Sequence, residues 1–442
     1  MRNTQHAIRN TQHAIRNTQH VSHITPSTAL RAWFHICMFS RIMPAHAPGG
    51  MQDHVQTLSM GLVKKGHRVS VITSGRADGK EFEVIDGVET HFLAGTTFGR
   101  YSARYWTAAA EKFEQLHSVN PFDILHSQSV GALGVYQRGL HRKYHLPLIT
   151  SFHGTHLDIL TTSWHTDFAL TNPLGMARFV ALSLNLLYRY ARDFPFAHDS
   201  DVLIATSDAD VWKYKTLYRV RDAQIRKVYN GIDTDLFAPR DVAPLRAELN
   251  IRADEKILLV LARLQKDKGV QNAIAVLPRV LETFPARLVI VGDGDYRGAL
   301  ESLVRKLGIA EHTCFIGARP LAECARYFNL CDVFVDPTLR TDGYDLTIAE
   351  AMACAKPVIA SDVGANSTLI DAETQRDGIL IPSGDNDALA RELLRVLGDD
   401  TLRKTMGEHT RAKIVARFSV AAMVEGMQEV YRQIWVDVKR DA

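Results

Sequence analysis

Short apolar runs recur along the chain, each followed by a glycine-bearing or polar turn and then by a stretch of helical periodicity. The first run is Phe34 to Phe39. A loop, Pro44-Ala45-His46-Ala47-Pro48-Gly49-Gly50, follows it, then a helix pattern from Gln52 to Lys65, a Gly66-His67 stop and a second strand, Val69 to Thr73. Strand, glycine loop, helix and strand in that order open a parallel sheet. Further strands are predicted at Phe82–Ile85, Glu89–Leu93, Phe122–His126, Leu148–Phe152, Val202–Thr206 and Lys227–Tyr229, with helix patterns at 101–118, 130–144 and 174–192.

The alternation starts again in the second half. Strands are predicted at Lys256–Ala262, Arg287–Gly292, Thr313–Gly317, Asp332–Asp336, Lys356–Ser361 and Gly378–Ile381, with helices between them. This is a second doubly wound parallel sheet, so the fold class is α/β with two Rossmann-like domains. The first is expected over 33–235 and the second over 245–415. Asn230-Gly231 marks the turn between them. A final helix within 418–438, Val420 to Trp435, carries apolar residues at helical spacing and is expected to pack back across both domains.

Residues 2–20 fit neither half. They read RNTQHAI, RNTQHAI, RNTQH. The unit lacks the large apolar a and d positions of a coiled coil and the long apolar core of a signal peptide. It reads as a translated tandem repeat, and residues 1–32 are expected to be disordered.

Composition narrows the class. At 442 residues the chain can bury two cores, and its 23% of charged residues leave a net charge of only +3. That balance argues against a nucleic-acid partner. The five cysteines form no Cys-x-x-Cys pair and sit in apolar surroundings, which suits buried thiols in the cytoplasm. No run approaches the about 18 apolar residues that span a bilayer. The basic, aromatic-bearing segments Gln137–His145 and Tyr188–Arg192 leave peripheral contact with the inner face of a membrane open, beside ordinary solvated helix faces.

The candidate chemistry lies at strand ends, where open parallel sheets bind ligands. The stretch Thr341 to Cys354 runs from a strand through a loop into a helix, with Asp342 on the loop and Glu350 near the helix start. A helix start offers unpaired N–H groups and a positive dipole end to a phosphate. Thr347 and Glu350 also fit a capping box, and at this level the two readings stand side by side. Arg263 ends a strand and Lys268 precedes a helix: a planar fork and a point charge that suit a diphosphate. Gly292 and Ala318 sit in turns after strands and are expected to wall a nucleotide pocket through their backbones. In the first half, Gly49-Gly50 lets backbone approach a ligand. His126 and His153 end strands, and His153 is the better placed to act.

In this order the motifs resemble the retaining glycosyltransferases of family 4 (glycosyl transferases group 1), over about residues 34–436. The resemblance rests on Pro48-Gly49-Gly50, Gly66-His67-Arg68-Val69, Asp123-Ile124-Leu125-His126, Phe152-His153-Gly154 and Asn230-Gly231-Ile232-Asp233. It continues through Arg263…Lys268-Gly269, Val291-Gly292-Asp293-Gly294 and the acidic stretch ending Glu350-Ala351-Met352-Ala353. It implies the GT-B fold, two facing Rossmann-like domains with a cleft between them and a C-terminal crossover helix. The implied activity is transfer of a hexose from a nucleotide-sugar to an acceptor hydroxyl on a sugar, a lipid-linked molecule or a small molecule, with retention of configuration. Alternatives are a nucleotide-sugar epimerase of the same fold and an inert nucleotide-sugar-binding homologue.

The resemblance also implies roles. Arg263 and Lys268 would bind the donor diphosphate, Glu350 the ribose, and Asp342 the donor sugar. His153 would serve the transition state, and Gly50 would let its loop approach the phosphates. Backbone around Gly343, Tyr344, Asp345, Leu346 and Thr347 would cap the phosphates. No metal or other cofactor is implied. Two departures stand out. The family's first acidic residue is usually Glu, and its Gly-Phe-Gly-Leu reads Gly343-Tyr344-Asp345-Leu346. Asp345 brings a carboxylate near the expected phosphates, where its charge is unfavourable unless it turns away to cap the helix.

Overall fold

The computed structural model describes residues 33–47, 50–166, 173–340 and 345–441. The repeat-bearing segment 1–32 expected to be disordered lies outside these residues, as do Pro48, Gly49, Asp342, Gly343 and Tyr344.

The first half builds one sheet from β1 (His35–Ser40), β2 (Arg68–Ser74), β3 (Phe82–Ile85), β4 (Val88–Leu93), β5 (Ile124–Gln128), β6 (Leu148–Ser151), β7 (Val202–Ala205) and β8 (Ile225–Lys227). Their spatial order is β3-β4-β2-β1-β5-β6-β7-β8. All pairs are parallel except the β3–β4 hairpin. β1 is buried throughout because β2 and β5 flank it and helices cover both faces. The helices are α1 (Gly50–Lys64), α2 (Ala103–Val119), α3 (Leu133–Gln137), α4 (Leu140–Lys143), α5 (His156–Thr166), α6 (Pro173–His198) and α7 (Asp208–Tyr218).

The second sheet contains β9 (Lys256–Leu261), β10 (Ala286–Val291), β11 (Thr313–Gly317), β12 (Val333–Asp336), β13 (Val358–Ser361) and β14 (Ile379–Ile381), in the order β11-β10-β9-β12-β13-β14 and all parallel. Its helices include α8 (Val270–Leu281), α9 (Arg297–Lys306), α10 (Leu321–Leu330), α11 (Leu346–Ala353), α12 (Asn386–Gly398) and α13 (Asp400–Arg417); α14 (Val420–Asp441) ends the chain. In each sheet the strand order reverses at one place, between β1 and β5 and between β9 and β12. Loops leaving neighbouring strands diverge there, and the crevice they leave is where such sheets take ligands.

Several elements differ from the sequence-based reading. The helix expected over 130–144 is two short helices, α3 and α4, because Gly139 at φ 64° breaks it. Helix α6 runs on to His198, since Phe196 and Ala197 are buried in the core beneath it. Helix α5 is absent from the periodicity. Its first turn is held instead by Asp158, which accepts from the backbone N–H and hydroxyl of Thr155 and pairs with the buried Lys213 of α7 at 2.6 Å.

The chain crosses between the two halves twice, side by side. Ile232 N donates to Phe418 O at 2.7 Å and Val420 N to Ile232 O at 3.0 Å. Gly231 permits this, since a Cβ there would lie 2.7 Å from the Val420 Cα. Helix α14, expected across both halves, packs on the first. Met423, Val424, Met427 and Tyr431 join the core formed by Phe34, Ile36, Met38 and Val55. Gln428 Nε2 lies 2.8 Å from His67 Nε2, and a Cβ on Gly61 of α1 would collide with Val424.

Candidate functional site

The two reversal points bring two helix starts together. Gly50 is the first residue of α1 and Leu346 the first of α11, and a Cβ on Gly50 would lie 3.2 Å from Leu346 Cδ1. Each start has N–H groups without intrahelical partners and the positive end of a dipole. The convergence places both at the seam between the halves, where negative charge is favoured.

The acidic residues of this corner divide by burial. Asp345 stands at the N-cap position of α11 but makes no side-chain cap bond. The Thr347–Glu350 capping box is not formed, because the helix begins one residue before Thr347. Thr347 is half-buried, while Glu350 lies one turn inside and is buried. Burial, and then the charge of Asp53 on α1, push the Glu350 carboxyl up to about 8. Glu350 is therefore a protonated hydrogen-bonding group at neutral pH.

Lys268 precedes α8 at the end of a short 3-10 turn and is buried. Its ammonium donates to both oxygens of Asp345, at 2.5 and 2.7 Å. Asp345 thus neither caps the helix nor avoids the cation expected to bind phosphate; it holds that cation. Behind it, Asp336 ends β12 in full burial. Burial, and then the Asp345 charge, push Asp336 well above the usual carboxylate range. Burial opposes the charge on Asp345, but the Lys268 charge and hydrogen bonds hold it below that range.

Arg263 is exposed just past β9 and has no ion-pair partner among the described residues. Gly292, at φ 136°, abuts the neighbouring loop: a Cβ there would lie 1.9 Å from the Ala262 carbonyl. Its N–H donates to Gly317 O at 3.0 Å, so the loops after β9, β10 and β11 are tied beside exposed Ala318. Gly269, at φ 67°, packs against Pro337 O in the same way and joins the Lys268 loop to the end of β12.

On the facing side, His153 Nε2 lies 2.6 Å from Gln128 Oε1. A carbonyl oxygen only accepts, so His153 carries its proton on Nε2. Gln128 Nε2 is 3.4 Å from His126 Nε2, which also receives the Ser151 hydroxyl at 2.8 Å. His126 therefore carries its proton on Nδ1 and donates to the Tyr431 hydroxyl at 2.7 Å. His54 of α1 meets His153 edge-on at 5.2 Å between ring centroids. Burial holds all three imidazoles neutral: His54 is lowered to about 4, His126 to about 3, and His153 well below its usual value, with His54 and His126 adding to the effect. Sequence reasoning missed Gln128 and His54. Gln128 had one signal, its position two residues after His126 and hence on the same face of β5.

A cleft of about 550 Å³ opens between α5 and the loop after β9. Asp158 and Thr162 of α5 form one wall, and Lys266, Asp267, Tyr296 and Arg340 the other. The sequence-predicted residues do not line this outer cleft. Lys268 does not line it but lies on the loop that carries Lys266 and Asp267. The structure brings Gly50, Leu346, Asp345 and Lys268 together, and Asp342, Gly343 and Tyr344 lie outside the described residues.

Comparison with known proteins gives the same layout. The family model for Glycosyltransferase Family 4 matches residues 48–236, and that for glycosyl transferases group 1 matches residues 241–413. The chain is 26% identical over 386 residues to the N-acetyl-alpha-D-glucosaminyl L-malate synthase of Bacillus anthracis, covering 86% of this chain and 92% of that one. Among solved structures, sucrose-phosphate synthase from Thermosynechococcus elongatus superposes with a TM-score of 0.75 at 22% identity, over 92% of this chain and 100% of that one. The Anabaena protein HepE in complex with UDP-glucose gives 0.66 at 20% identity, over 90% and 99%.

Proposed function

The chain belongs to the glycosyltransferases of family 4, and from that premise we propose that it moves a hexose from a nucleoside-diphosphate sugar to an acceptor hydroxyl with retention of configuration. One observation carries the reading: the starts of α1 and α11 meet at Gly50 and Leu346, beside Lys268 and the buried Glu350. A leaving diphosphate needs concentrated positive potential, and two helix ends with Arg263 and Lys268 supply it without a metal ion. Glu350, protonated at neutral pH, both donates to and accepts from a ribose diol. His153 is neutral, with a lone pair on Nδ1, so it orients the sugar rather than acting as a cation. Asp342 is assigned to the sugar hydroxyls. In the step itself the bond from anomeric carbon to phosphate oxygen breaks. The acceptor oxygen bonds on the same face, and its proton passes to the departing diphosphate.

A thermal-shift screen with UDP, GDP and ADP tests this reading. UDP comes first because HepE binds UDP-glucose. A nucleotide at 100 times its dissociation constant stabilises the fold by about 2.7 kcal/mol. The matching nucleotide-sugar should then be consumed equally well in the presence of EDTA. If no nucleoside diphosphate raises the melting temperature, the donor site is misassigned. The Lys268–Asp345 pair favours one second reading, a homologue that binds nucleotide without turnover. Nucleotide binding with neither transfer nor donor hydrolysis would establish it.

The reading extends to a peripheral, cytoplasmic site of action. Among the described residues no helix is long and apolar enough to cross a membrane. Arg138, Arg142 and Lys143 are paired with Glu111, Asp199 and Glu114, so the basic segment 137–145 carries little free charge. Helix α6 instead exposes Met176, Val180, Leu184, Leu187 and Tyr188 along one face, with Arg178 beside them and no acidic residue between 176 and 192. Such a face suits the interface of an anionic bilayer. Co-sedimentation with anionic vesicles that is lost in Leu184→Glu would support this contact, and equal sedimentation of the two proteins would remove it.

A further inference from the structure

We propose that Asp345 is a built-in competitor for the donor's diphosphate: it holds the Lys268 ammonium and must release it when phosphate takes that place. The proposal rests on the donor-site reading above. Geometry motivates it. Lys268 is buried and gives two short hydrogen bonds to one carboxylate, at 2.5 and 2.7 Å. A cation so engaged has little left for a second anion. A phosphate oxygen arriving there would also face the Asp345 charge across a short distance, where like charges repel strongly.

Asp336 leaves the released carboxylate a hydrogen-bond partner that it already has. It is buried at the end of β12, its Oδ1 accepts from Thr338 N at 3.2 Å, and its Oδ2 meets no donor. Asp336 is the protonated member of the pair, since burial and the adjacent Asp345 charge both disfavour its ionisation. Asp336 and Asp345 already share a side-chain hydrogen bond beside Lys268, so the acid proton of Asp336 still serves Asp345 when Lys268 is withdrawn. In the exchange the ammonium changes partner from carboxylate to phosphate, and the Asp345 carboxylate loses the ammonium and keeps the acid as its partner. Arg340, whose charge also reaches Asp345, continues to favour its ionised form. Donor affinity is then set by the difference between two partners for one lysine.

Calorimetric titration of the full chain with UDP, GDP and ADP tests this, using wild type, Asp345→Asn, Asp345→Gly and Lys268→Ala. Two substitutions at 345 guard against a single variant that misfolds, and melting curves report folding for each. The competitor role expects Asp345→Asn and Asp345→Gly to tighten the nucleotide that wild type binds, by about tenfold. Unchanged or weaker binding in folded Asp345 variants, with Lys268→Ala weakened, overturns the competitor and leaves the donor site standing. Unchanged binding in Lys268→Ala moves the diphosphate away from this corner and overturns both, as does a failure of all three nucleotides to bind wild type.

Discussion

His153 Nε2 and Gln128 Oε1 are 2.6 Å apart, at the ends of two adjacent parallel strands. The glutamine is bonded on its other side to His126, which reaches Tyr431 on the last helix. The His153 ring just past β6 is therefore oriented by a chain of hydrogen bonds that ends on the element returning from the second half.

Replacing Gln128 tests whether that orientation matters. A misplacement of about 1 Å at a reacting centre costs on the order of a hundredfold in rate. Gln128→Leu is expected to lower kcat by about that factor with KM for the donor little changed. Gln128→Glu should in addition hold a second proton on His153, giving a pH–rate profile with a new limb above neutrality. A profile that keeps the wild-type shape in Gln128→Glu would sever the link between the two residues.

Tyr431→Phe removes the acceptor for His126 Nδ1–H in a fully buried setting. An unpaired buried donor costs about 1–3 kcal/mol. Chemical denaturation should show a loss in that range. A loss below about 0.5 kcal/mol, the scale of an ordinary surface change, would mean that water replaces the hydroxyl.

Gly50 is needed for approach rather than for backbone conformation. Its α carbon is exposed, but a side chain would press on Leu346 across the seam. Gly50→Val should leave the unfolding free energy within the scatter of surface substitutions, about 0.5 kcal/mol, while kcat/KM falls at least about tenfold. Full activity in Gly50→Val would show that the helix starts need not approach so closely.

Stability should fall on both sides of a maximum in mildly acidic solution. Glu350 has a usual value of 4.5 and is raised to about 8 in the folded chain. The folded state holds the extra proton, so this contribution is complete below about pH 4.5 and is lost as pH rises through 8. Asp336 acts in the same direction. His54 and His126 act oppositely: each is lowered from 6.5, to about 4 and about 3. Their contribution is complete above 6.5 and is lost as pH falls through those values. Melting temperature against pH, for wild type and Glu350→Gln, should show a flatter alkaline limb in the variant. An unchanged alkaline limb would exclude Glu350 as its source.

The order of strands and helices was legible because apolar runs buried on both faces alternate with amphipathic helices, a local pattern that needs no long-range knowledge. Strand-end residues such as Arg263 and His153 were legible for the same reason, since a parallel sheet presents its carboxyl ends as a set. Helix α5 was not, because its first turn depends on Asp158 meeting Lys213, a partner 55 positions away whose role no window of sequence contains. Gln128 likewise reads as an ordinary strand residue until β6 is placed beside β5 and His153 comes within reach.

Asp345 shows the same division most sharply. Its identity, an acidic residue where phosphate is expected, was plain in the sequence. Its partner was decided only in three dimensions: Lys268 lies 77 positions earlier on a different loop, and the reversal between β9 and β12 sets the two side by side. The sequence by itself determined which groups the strand ends would offer, because periodicity and turn chemistry are local. The tertiary structure alone decided which cation each carboxylate holds and which helix starts meet, because those distances are set by the packing of segments far apart in the chain.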